Sequence, residues 1–151
     1  MTIAFGEAHR GASLISVATP VNVDTVHLRN YYLRPNEGVV WQGGLLRMVW
    51  SRRFTGIVLE FNPRIVTNVL AFLIARLIDK RVIWWGHGFG TRGSRPAAFL
   101  RLWLARNADA VVFYNKKQAD QFVSLGLPKS RAFVANNSID LEQIQSLSKG
   151  S

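Results

Sequence analysis

The chain has 151 residues, 48% of them apolar, enough for one compact domain with a core and too apolar for global disorder. It contains no cysteine, which excludes a disulfide framework and thiolate metal sites and fits a reducing cytoplasm. Nineteen basic residues, most of them arginine, against 9 acids give a net charge of +10, a surplus that draws phosphorylated ligands or an anionic lipid surface, or that serves solubility alone.

Residues 1–20 carry Glu7, His9 and Arg10 early and lack a sustained apolar stretch, which argues against a secretory signal. Ile3-Ala4-Phe5 and residues 13–18 are candidate short strands. Residues 25–33 alternate as a further strand, and Arg34-Pro35-Asn36-Glu37-Gly38 reads as a turn. A helix with Arg47, Arg52 and Arg53 is expected over 43–53. Residues 56–61 read as a strand stopped by Asn62-Pro63, and the proline opens a helix over 64–79. On a helical wheel Ile65, Val66, Val69, Leu70, Phe72, Leu73, Ile74 and Leu77 make a wide apolar arc, expected against a sheet, with Thr67, Asn68, Ala71, Ala75 and Asp79 filling the remainder. The apolar run 65–78 contains Arg76 and is shorter than the ~20 residues a membrane span needs, so a buried helix is expected.

Residues 81–85 read as a buried strand that runs into Gly86-His87-Gly88-Phe89-Gly90. Glycine lets the backbone turn sharply and lets a ligand approach closely, and open α/β sheets bind ligands at the carboxyl ends of their strands. His87 is therefore expected on a glycine-lined ledge, either as a working imidazole or as a histidine that only hydrogen-bonds within a tight turn. Residues 92–95 form a basic loop, and Pro96 opens a helix to about residue 107 whose Arg95, Arg101 and Arg106 do not share one face. Residues 110–114 make another strand. Asn115 is placed to cap a helix over 116–125, which Gly126 ends. Residues 132–135 form the last strand, Asn136-Asn137-Ser138 a polar turn, and Asp140 caps a short final helix. This alternation of helix and strand implies an α/β, Rossmann-like parallel sheet with helices on both faces. No zinc-finger or RNA-binding motif occurs and the tryptophans lie inside apolar segments, so nucleic acid is not an expected partner.

Four motifs in order resemble the amino-terminal domain of retaining glycosyltransferases of family 4, which have the GT-B fold. Residues 81–88 look like that family's strand ending in a histidine-glycine pair. Residues 104–114, Leu-Ala-Arg-Asn-Ala-Asp-Ala-Val-Val-Phe-Tyr, look like its helix, Ala-Asp, strand segment. Residues 125–134 resemble its approach to the last strand, and Asn137-Ser138-Ile139-Asp140 resembles its Asn-Gly-Val-Asp signature. Glu60-Phe61-Asn62-Pro63-Arg64 also looks like the end of the preceding strand in one branch.

The resemblance implies transfer of a sugar from a nucleotide-sugar donor, a co-substrate rather than a cofactor, to a lipid-linked or glycan acceptor. Metal is not generally required. It implies a cytoplasmic enzyme, with the inner membrane face as a peripheral docking surface. By position, His87 matches the histidine that approaches the donor sugar. Gly86 and Gly88 would keep the ledge narrow, and Phe89 and Arg92 would line the acceptor side. Arg92 reads equally as a solvated loop arginine. Glu60, with Asn62 and Arg64, reads as an acceptor contact or as a carboxylate paired with a neighbouring arginine. Asn137 belongs to the signature turn, and Asn115 falls where the family often has serine or threonine.

Departures accompany these matches. Ser138 replaces a common glycine. Gly11 alone stands for the glycine-rich loop after the family's first strand, so the expected single domain over 1–151 reads as beginning inside the family's domain. Glu7, Glu37, Glu60 and Glu142 include no pair spaced eight apart, as the family's nucleotide-binding carboxyl-terminal domain has. The expectation is an acceptor-binding half that works when a separate donor-binding domain completes it. The alternative is a non-catalytic lipid- or glycan-binding remnant.

Overall fold

The computed structural model describes residues 2–6, 24–34, 38–89 and 95–135. Two small sheets come first. β1 (Thr2–Gly6) pairs in parallel with β2 (Asp24–Leu28), and β3 (Asn30–Arg34) pairs antiparallel with β4 (Val39–Gln42). The single strand expected over 25–33 is thus two strands broken at Arg29. The break exists because the chain changes partner there, and Gly43 N donates to Arg29 O at 2.9 Å to close the second ladder. β4 was not anticipated. The candidate strand at 13–18, the turn at 136–138 and the helix capped by Asp140 lie outside the described residues.

The rest alternates: α1 (Leu45–Trp50), β5 (Gly56–Glu60), α2 (Val66–Leu77), β6 (Arg81–Gly86), α3 (Arg95–Arg106), β7 (Ala110–Phe113), α4 (Lys116–Ser124), a 3₁₀ turn (Lys129–Arg131) and β8 (Ala132–Val134). The four strands form one sheet in the order β5-β6-β7-β8, every pair parallel. This is the α/β, Rossmann-like parallel sheet expected, but α2, α3 and α4 take one of its faces rather than both.

Several helix ends have identifiable causes. α1 starts two residues late because Gly44 sits at φ 89°, outside helical space. α2 starts at Val66 because Val40 N donates to Arg64 O at 2.9 Å and Ile65 bridges to Val40, which ties both residues to β4 outside the helix. It ends in a Schellman motif, with Lys80 N bonded to Ala75 O at 2.8 Å and Asp79 at φ 57° where glycine is commoner. α4 ends the same way on Gly126, at φ 94°, with Leu127 N on Phe122 O at 2.9 Å. Lys80, buried, donates through Nζ to Val49 O at 2.7 Å and also to Ser51 O, satisfying carbonyls at the carboxyl end of α1.

The wheel expected for α2 holds in part: Phe72 of its apolar arc is buried and Val69 and Ile74 pack against the core, but the buried face also takes in residues from the other arc. Thr67, Asn68, Ala71, Phe72 and Ala75 are its buried residues, whereas Leu73 and Leu77 are exposed, Leu77 at 85%. Small side chains let the helix lie close to the sheet, and the two buried polar groups are satisfied. Gln42 N donates to Thr67 Oγ1 at 3.0 Å, and Asn68 Nδ2 donates to Glu60 O at 3.1 Å. Apolar periodicity alone missed this, because it counts alanine and threonine as neutral.

The core lies on one face of the sheet. Leu59, Val82, Trp84, Val111 and Phe113 point into it. Phe72 of α2 meets Trp84 at 5.4 Å, Trp84 Nε1 donates to Leu104 O of α3 at 3.3 Å, and Phe122 of α4 meets Phe113 at 5.0 Å. The three helices therefore share this face, as right-handed crossovers stepping one way across a sheet require. Side chains alternate across a strand, so Val58, Ile83, Trp85, Val112 and Phe133 occupy the opposite face, where Val58, Trp85 and Phe133 are exposed. Among the described residues no helix is long and apolar enough to cross a membrane.

Candidate functional site

The carboxyl ends of β5, β6 and β7 lie side by side and carry Glu60, His87 and Tyr114. Gly86 is in register with Phe113, so the next residue of each strand, His87 and Tyr114, falls at matching places on the edge. Their rings meet edge-on, 4.6 Å between centroids at 67°. His87 is exposed rather than set in the core, and β6 has parallel neighbours on both sides. The imidazole can thus donate to or accept from a hydroxyl approaching the edge.

The ledge beneath it is built from the sequence upward. Gly86 is buried at φ 151°, a region that side-chain-bearing residues avoid, and a Cβ there would lie 3.4 Å from Phe61. Phe61 N donates to Trp85 O at 2.8 Å, which carries the β5–β6 pairing one step past the named strands. Gly88 is buried where a Cβ would come within 2.8 Å of Phe122 Cε2. Phe89 stacks on Phe122, 4.3 Å between centroids at 18°, so its ring anchors the ledge from below. Asn115 is the helix cap expected: its Oδ1 accepts from Gln118 N at 2.9 Å.

On the β5 side the structure replaces the expected Glu60–arginine pair. Glu60 Oε1 accepts from Asn62 Nδ2 at 3.3 Å, and Asn62 Oδ1 accepts from Arg64 N at 3.2 Å. Asn62 is spent on shaping the turn, and the Arg64 guanidinium has no carboxylate partner among the described residues. Arg101 of α3 is half-buried, with Nε enclosed and unbonded. Burial, and then the like charge of Arg64, hold its guanidinium below the usual arginine range. The first turn of α2 carries no acidic residue and its start has no side-chain cap, which adds positive partial charge beside Arg64.

The structure thus brings Gly86, His87, Gly88 and Phe89 together on one ledge, with Glu60, Asn62 and Arg64 at the next strand end. Arg92 and Asn137 lie outside the described residues. Tyr114 and Arg101 were not singled out from the sequence. Tyr114 was legible by lining up the ends of consecutive strands, because it follows Ala-Val-Val-Phe as His87 follows Ile-Trp-Trp-Gly. Arg101 left no such signal. Among the described residues no group of three or more His, Cys, Asp or Glu is placed to hold a metal ion.

No curated protein and no solved structure matches the chain. The model of Glycosyltransferase Family 4 matches it over residues 8–143, nearly its whole length, and the chain belongs to that glycosyltransferase family.

Proposed function

We propose that this chain forms the acceptor-side wall of a retaining sugar-transfer cleft of GT-B architecture. A donor-binding domain facing the ledge supplies the nucleotide-sugar, and the acceptor is lipid-linked or a glycan. The observation that carries this reading is the exposed imidazole of His87, held beside Tyr114 on two buried glycines at the carboxyl end of an interior parallel strand, in a family 4 chain. Bare backbone on either side leaves the imidazole free to meet a sugar, and its hydrogen bond orients the ring for attack. In the transfer, the bond from the anomeric carbon to the nucleotide phosphate breaks. A bond from an acceptor oxygen to that carbon forms, and the acceptor proton is released. Most of the rate in such a reaction comes from holding two substrates in one geometry, which one wall alone does poorly.

The test is sugar transfer measured with this chain alone and together with a candidate donor-binding domain. Transfer is expected only with both, and His87→Ala is expected to lower it by roughly ten- to a hundredfold, the worth of one or two hydrogen bonds. Robust transfer by the lone chain, or full activity of His87→Ala with the completed enzyme, would overturn the reading. Peripheral attachment to the cytoplasmic membrane face belongs to the same proposal. It is supported by the +10 charge and by Phe99, Trp103 and Leu77, exposed at 72%, 40% and 85% on α3 and α2.

A further inference from the structure

We infer that Tyr114 is the positioning residue for His87: its ring holds the imidazole in one orientation at the sheet edge. His87 is poorly restrained by its own strand. Its neighbours Gly86 and Gly88 have no side chains to brace it, and its own side chain is exposed. An imidazole so placed has two torsions free to move among several wells. Tyr114 is held instead. It is half-buried, and the backbone is fixed on both sides of it. Ala135 N donates to Phe113 O at 2.9 Å, and Asn115 Oδ1 accepts from Gln118 N at 2.9 Å. Register then brings the two rings together, because Gly86 pairs with Phe113 and each ring is carried by the next residue. The centroids lie 4.6 Å apart at 67°, the edge-to-face arrangement that aromatic rings favour.

In this pair the tyrosine is the anchor and the histidine the passenger. An aromatic contact of this kind shifts an equilibrium between orientations by roughly two- to tenfold. Fixing an exposed side chain when a ligand binds costs a factor of similar size. The contact is thus large enough to set the imidazole before a ligand arrives. A group set beforehand meets its substrate in the productive geometry more often, which is where much of the rate of a two-substrate reaction comes from. The ring rather than the hydroxyl is the working part, so phenylalanine should serve and leucine should not. That Tyr114 orients the imidazole stands on the geometry; that the oriented imidazole serves sugar transfer rests on the proposed function.

The experiment is NMR of the full chain with isotope-labelled histidine, the ring signals of His87 being identified by their loss in His87→Ala. Cross-relaxation between the ring protons of His87 and Tyr114 is expected in the wild-type chain. Its absence overturns the inference without any variant having to fold. The ring current of Tyr114 should displace the carbon-bound ring protons of His87, and this displacement should persist in Tyr114→Phe and collapse in Tyr114→Leu. His87 signals unmoved by Tyr114→Leu overturn the inference. So does an equal change at His27, which lies on β2 in a separate sheet. A second arm measures sugar transfer by the chain completed with a donor-binding domain. Tyr114→Leu should lower the rate by roughly two- to tenfold, Tyr114→Phe should keep it, and Tyr114→Leu should cost nothing further in a His87→Ala background. An equal loss in Tyr114→Phe, or a further loss in that background, means that the tyrosine acts by itself and overturns the positioning role. The NMR arm involves no sugar. Absent transfer with the ring contact intact therefore counts against the proposed function alone, and a missing ring contact counts against this inference alone.

Discussion

Gly88→Ala tests whether the ledge is set by the core below it. The added methyl would sit 2.8 Å from Phe122 Cε2, 3.4 Å from Cδ2 and 3.5 Å from Gln118 Cβ. The ring cannot swing aside cheaply. Phe122 is fully buried and packs against Phe89 at 4.3 Å, Phe113 at 5.0 Å and Phe61 at 5.9 Å. Overpacking of one methyl into such a site costs about 1–3 kcal/mol, which for a chain of this size lowers Tm by roughly 2–12 °C. Urea denaturation gives the same quantity as a shift in midpoint at constant slope. If the clash is with that ring, Phe122→Leu makes room, and the double variant should be more stable than the sum of the two single losses by at least about 0.5 kcal/mol. A Gly88→Ala protein within about 0.5 kcal/mol of wild type, or strict additivity in the cycle, would refute the packing argument.

Asp109→Ala should cost about 1–3 kcal/mol, because Asp109 Oδ2 accepts from the backbone N of Val82, a fully buried residue, at 2.8 Å. The same oxygen's contact with Arg76 at 3.1 Å is exposed, so Arg76→Gln should cost under about 1 kcal/mol in the same urea titration. Asn115→Ala should lose about 1 kcal/mol from the first turn of α4, while Asn115→Ser keeps an acceptor for Gln118 N and loses only a few tenths, read by thermal unfolding.

The parallel sheet was legible because its strands are short apolar runs punctuated by glycine, Asn-Pro or Ala-Asp, and those punctuations reappear as structure. Asn115 caps, Gly126 takes the left-handed turn, and Asp109 ties the start of β6 to β7. The face of α2 was not legible, because what decides it is not hydrophobicity. Thr67 and Asn68 are buried since β4 and the end of β5 offer them partners, and Ala71 and Ala75 since the sheet lies close. Those partners come from distant segments, and β4 itself is only a four-residue run after a glycine. Arg101 was illegible for a related reason. Its meaning is the neighbour it lacks, and a missing carboxylate cannot be read from a single helix.

The site divides into parts that the fold needs and parts that it does not. Gly86, Gly88, Phe61, Phe89 and Asn68 hold the ledge in place through backbone pairing and core contacts, so substituting them perturbs folding and function together. His87 is exposed, and its ring meets Tyr114 at the same edge. Arg64 is exposed and pairs with no carboxylate among the described residues. Nothing in the packing of the core depends on either side chain being histidine or arginine. An imidazole held over bare backbone, and an exposed guanidinium with no carboxylate among the described residues, are therefore features that stability does not explain. Substitutions confined to His87 and Arg64 should leave Tm nearly unchanged while removing whatever the edge binds, and that separation lets chemistry at this edge be measured apart from the fold that carries it.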